Sequence, residues 1–137
     1  MSNPTDDAAT SEPNGDGEAA YVAFREGTRL LAERNVHAAA IALERARDLE
    51  PAMGSVREAL ARAYYDSGRV AAAEAEFRIA LDLDPVNDFA HYGLGLCCLR
   101  SGDRPAARRH LRLALGMRPD NDDYRRAWAR LEAGVGE

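Results

Sequence analysis

The sequence contains no lysine. All eighteen of its basic residues are arginine, which excludes a P-loop lysine, a Schiff-base lysine and lysine acylation chemistry. Cysteine is almost as scarce, and the two present, Cys97 and Cys98, are adjacent. Neighbouring side chains on a helix point about 100° apart, so this pair does not suit an ordinary disulfide. A reducing, cytoplasmic location is therefore expected. No basic stretch followed by an apolar one opens the chain, and no run approaches the ~18 apolar residues of a membrane span. HExxH, CxxC, GxSxG and Gly-rich phosphate loops are all missing. His37, His91 and His110 share no helical spacing and have no cysteine at ligand spacing. We therefore expect no metal and no cofactor. Cys97 and Cys98 read as small buried hydrophobes, and Glu74 and Glu76 as a solvated face. With no catalytic constellation in view, the expectation is a protein that is not an enzyme.

What is present is alanine, leucine and a lopsided charge. Apolar residues make up 46% and the net charge is −5. The first 18 residues hold Asp6, Asp7, Glu12, Asp16 and Glu18 and no arginine, so residues 19–137 are neutral. A neutral body has no global attraction for nucleic acid or an acidic membrane. Residues 1–18 offer little to bury and read as a disordered acidic leader.

The rest is organised by one interval. Pro51, Pro85 and Pro119 are each 34 residues apart, and other columns fall into place at that period. Gly27, Ala61 and Gly95 form a small column, and Leu30, Tyr64 and Cys98 a larger one. Ala39, Ala73 and Ala107, then Leu43, Phe77 and Leu111, then Ala46, Ala80 and Ala114 form three more. Within each period the apolar spacing is helical, as in Val56, Leu60 and Tyr64. Asp66-Ser67-Gly68-Arg69 and Ser101-Gly102-Asp103-Arg104 break the pattern midway, with Asp103 placed to cap and Pro105 tolerated in a first turn. Each proline ends a second helix. The pattern predicts helices over 20–33, 37–49, 54–67, 71–83, 88–100 and 104–117. A seventh, 122–133, follows acids that suit a helix N-terminus. One helix pair cannot bury its apolar face alone. Three stack, and the seventh helix covers the end through Tyr124, Ala127, Trp128 and Leu131.

This arrangement resembles the tetratricopeptide repeat (TPR) family over residues 20–121, in repeats 20–53, 54–87 and 88–121, with 122–133 as the capping helix of a domain spanning 19–137. Arg57 and His91 depart from it where the family favours a large apolar residue, and Cys98 where tyrosine is common. The resemblance implies an all-α, right-handed solenoid whose first helices line a concave groove. On this chain the groove residues would be Tyr21, Phe24, Arg25, Thr28 and Leu31, then Ser55, Glu58, Ala59, Arg62 and Tyr65, then Phe89, Tyr92, Gly93, Leu96 and Leu99. One TPR subgroup clamps a terminal carboxylate with Lys, Asn and Arg. Those positions fall here on Phe24, Thr28, Ala59, Phe89 and Gly93, which excludes that mode. An aromatic groove with Arg25, Glu58 and Arg62 as polar handles, and with Gly93 leaving room for a bulky ligand group, suits an amphipathic helix or an apolar peptide.

The expected function is a non-catalytic adaptor or scaffold for a protein or peptide partner, as a monomer or weak homodimer. One alternative is a dedicated chaperone for an apolar client segment. Another is RNA or phosphate binding through Arg104, Arg108 and Arg112, a basic stripe on the convex side. No aromatic residue interleaves that stripe in the sequence, which favours a plain solvated helix face over a nucleic-acid surface.

Overall fold

The computed structural model describes residues 4–134, with side chains from Gly15 onward. Seven α-helices follow one another: α1 Pro4–Ala32, α2 Val36–Leu49, α3 Gly54–Asp66, α4 Val70–Leu83, α5 Asp88–Ser101, α6 Arg104–Met117 and α7 Asp122–Glu132. From α2 to α7 every boundary falls within one residue of the sequence expectation. α1 was expected to start at residue 20 and instead begins at Pro4. The side chains of residues 1–14, most of the leader, lie outside the described residues.

The turns repeat as closely as the columns do. Each first helix ends in a left-handed residue, Arg34, Gly68 or Gly102. The next amide reaches back to the carbonyl of Leu30, Tyr64 or Cys98 at 2.8–2.9 Å. That six-residue closure satisfies the carbonyls a helix end would leave bare. Asp103 caps α6 as the sequence suggested, accepting from the Ala106 amide at 3.2 Å. Asn87 and Asn121 do the same for α5 and α7, each at 3.0 Å.

Helices pair as α1 with α2, α3 with α4 and α5 with α6, and each pair stacks on the next, with α7 closing the row. The small column is what lets the paired helices approach. A side chain at Gly27 would overlap Leu43, and one at Gly95 would overlap Leu111. The core follows the predicted columns, with Leu43, Leu60, Leu94, Leu111 and Leu131 fully buried. Cys97 and Cys98 are buried and unpaired, and burial pushes the Cys97 thiol up to about 12. A thiol so hard to ionise is an inert core group.

One polar reading is corrected. Glu76 does not belong to a solvated face. It is only 7% exposed and accepts from Arg57 of α3 at 2.9 Å and Arg47 of α2 at 3.3 Å. Burying a carboxylate is tolerated because two guanidiniums meet it. Arg57 thus fills the place where a large apolar residue was expected. One repeat later the same two positions hold His91 and His110, which the sequence did not connect. Their rings stack at 5.4 Å with the two Nδ1 atoms 3.2 Å apart. The parallel extends to the loops: Arg57 Nε donates to the Pro51 carbonyl at 3.0 Å, and His91 Nε2 faces the Pro85 carbonyl at 3.2 Å.

Candidate functional site

The first helices α1, α3 and α5 lie side by side, and between them run two adjoining hollows. The first, about 340 Å³, is lined by Phe24, Thr28, Leu31 and Ala32 of α1, Ser55, Glu58, Ala59 and Arg62 of α3, and Phe89 of α5. The second, about 400 Å³, is lined by Arg62, Tyr65 and Asp66, by Phe77, by Phe89, Tyr92, Gly93 and Leu96, and by Asp123 of α7. Arg62 and Phe89 border both, so the hollows lie side by side.

Their floor is an aromatic ladder. Phe77 and Phe89 meet edge-on at 6.0 Å, Phe89 and Tyr92 are 6.1 Å apart, and Tyr92 lies 4.7 Å from Tyr124. Tilted and edge-on geometries place positive ring edges against negative faces, which favours such a row. Tyr124 is fixed in turn by donating to Asp88 at 2.6 Å, and its burial together with that bond pushes its phenol pKa well up. Tyr65 carries the Arg100 guanidinium over its ring at 4.9 Å.

Of the sequence-selected residues, Phe24, Thr28, Glu58, Arg62, Tyr65, Phe89, Tyr92 and Leu96 come together here. Tyr21 is more than half exposed and lines neither hollow; Arg25 lies over its ring at 5.7 Å and borders a separate shallow hollow with Thr28. Leu99 is a correction, since at 2% exposure it belongs to the core beneath α6 and α7. Gly93 is another. The space that its missing side chain opens is taken by the Phe77 ring of the preceding repeat and not left for a ligand. Phe77, Asp66 and Asp123 were not foreseen as groove residues. The sequence placed Phe77 in a second-helix core column. Only the closeness of Gly93 two residues before Gly95 hinted that a ring would reach through.

The convex stripe also differs from expectation. Arg108 and Arg112 both lie over the Trp128 ring, at 5.5 and 6.0 Å. Arg104 donates to the Leu131 carbonyl at 2.7 Å, and Arg108 pairs with Glu132 at 3.0 Å. An aromatic ring therefore does join the stripe, contributed by α7. Among the described residues no group of three or more potential ligands could hold a metal, and no helix is long and apolar enough to cross a membrane.

A family model described as Tetratricopeptide repeat matches residues 24–88 and again 58–123. The chain belongs to the tetratricopeptide repeat family. A sequence comparison with curated proteins found no match. Solved TPR structures share the fold. The TPR domain of Arabidopsis OM64 is 22% identical, with 88% of this chain and 99% of that one covered and a TM-score of 0.83. The first TPR of Spaghetti (RPAP3), bound to the HSP90 peptide SRMEEVD, is 17% identical over 85% and 93% of the two chains, with a TM-score of 0.80. The Sgt2 TPR domain from Aspergillus fumigatus is 20% identical over 84% and 78%, with a TM-score of 0.78. The TPR assignment establishes the solenoid of helix pairs. The groove chemistry is this chain's own.

Proposed function

We propose that this TPR protein is a non-catalytic interaction module that holds a peptide or amphipathic helix of a partner protein in its concave groove. The observation that carries this reading is the half-buried aromatic row of Phe24, Tyr65, Phe89 and Tyr92 along the two adjoining hollows. Half-buried rings in a groove gain from desolvation when an apolar segment covers them. A TPR neighbour of the same fold is seen with an HSP90 peptide, which supports a peptide as the ligand class. A terminal-carboxylate clamp is not the mode here, because Phe24, Thr28, Ala59, Phe89 and Gly93 stand at the clamp positions that the family resemblance indicates. The arginines of the convex stripe are engaged with α7 and Trp128, so the groove is the favoured surface. The two buried, unpaired thiols fit a reducing cytoplasmic setting.

The test is an affinity capture from native lysate read by mass spectrometry, with wild type beside a Tyr65→Glu/Leu96→Glu variant of unchanged circular dichroism. Partners lost only from the variant support the groove. Partners kept by both refute it and move the function to the arginine stripe, the leader or α7.

A further inference from the structure

Glu58 shares the first hollow with Arg62 but forms no ion pair with it. It is half-buried, and its carboxylate accepts one neutral hydrogen bond, from Asn87 Nδ2 at 2.6 Å. Arg62, one turn further along α3, is directed to Asp66 at 3.8 Å. Among the described residues no ion pair reaches Glu58. Burial first, opposed by the Asn87 bond and helped by the charges of Asp88 and Asp84, pushes its carboxyl pKa above the usual value. The hollow around it has aromatic walls, Phe24 and Phe89, and small residues, Ala32, Ser55 and Ala59, between them. Ring faces attract cations, the more so when water is excluded. A carboxylate left partly desolvated with a neutral partner is costly, and a matching cation removes the cost.

We infer that this hollow receives an arginine or lysine side chain of the bound peptide, with Glu58 as its counter-ion and Phe24 and Phe89 flanking the cation. The inference rests on the groove reading above and names its ligand: a basic, apolar segment. An acidic one would meet Glu58 in the same place.

The experiment uses the full chain and a displayed library of random peptides. Enriched sequences are resynthesised with arginine, norleucine or glutamate at each enriched basic position, and affinities are read by fluorescence anisotropy. Enrichment of a basic residue beside apolar ones is expected, with arginine peptides binding at least about tenfold tighter than their norleucine forms. Glu58→Gln, which keeps an acceptor for Asn87 and should melt no lower than wild type, removes that preference. Glu58→Arg shifts it to the glutamate peptides. Binders that Tyr65→Glu/Leu96→Glu abolishes, yet that show no basic preference or keep it in Glu58→Gln, overturn the cation pocket and leave the groove standing. Absence of any binder, or binding untouched by the groove variant, overturns both.

Discussion

Arg34 is the single non-glycine residue with positive φ among those described, at 66°. Its counterparts one and two repeats later are Gly68 and Gly102, at 86° and 87°. A left-handed backbone costs an ordinary L-residue about 1 kcal/mol or more, and the exposed Arg34 side chain offers little in return. Arg34→Gly is therefore expected to raise stability by up to about 1 kcal/mol, read from the urea midpoint; an unchanged or lower midpoint would refute the strain. His110 makes a different demand. Because the Pro85 carbonyl only accepts, Nε2 of His91 carries a proton, so neutral His91 accepts at Nδ1 and His110 donates. Burial first, then His91, Arg78 and Arg109, hold the His110 pKa below its ordinary value, against Glu74. The unfolded chain thus binds this proton at a higher pH than the folded one. The stabilisation is complete above the unfolded value of about 6.5 and is lost as pH falls through the lower folded value. The melting temperature should fall between pH 7 and pH 5.5, and His110→Gln should flatten that slope. Equal slopes in both proteins would remove His110 as the cause.

At the level of the helices, Glu76 ties three together. It lies on α4 and is met by Arg57 of α3 and Arg47 of α2. Removing one member of a buried ionic group strands the others, at a cost of about 3 kcal/mol. Glu74 pairs with Arg78 one turn away on the same helix, more exposed, where such pairs contribute about 0.3–0.5 kcal/mol. Glu76→Ala should therefore lower the urea midpoint far more than Glu74→Ala; similar losses would contradict the network. This contrast also marks how far the sequence was legible. Apolar and small columns repeat by residue type, so the helices and their ends were readable from spacing, whereas the groove positions came only with the family resemblance. The positions of Glu76 and His110 repeat in place but not in type, as Ala42, Glu76 and His110. Their partners lie nineteen residues back on another helix, beyond any helical period. Phe77 was likewise assigned to the right column, but its reach past its own repeat to Gly93 depends on how the pairs stack.

For the whole molecule, α7 decides where the core ends. Tyr124, Ala127 and Leu131 bury against α5 and α6, and Trp128 packs beside them. Ending the chain at Arg118 would remove two large buried side chains, Tyr124 and Leu131, from the core, a loss on the order of 3–6 kcal/mol. That truncation should unfold at markedly lower urea, while removal of residues 1–18 should leave the midpoint where it is. A large drop in the second case would show that the leader docks on the body.

The paired positions on first and second helices carry Ala23 with Ala42, Arg57 with Glu76, and His91 with His110. Each helix pair therefore bears its own lock and key, although the backbone is the same three times over. A slip by one repeat, or an exchange of helices between two copies, would set Arg57 against Ala42 or His110 and leave a buried guanidinium unanswered. The repetition that builds the solenoid cheaply is thereby kept from scrambling it, and a chain with α4 replaced by a second α6 should lose its sharp unfolding transition.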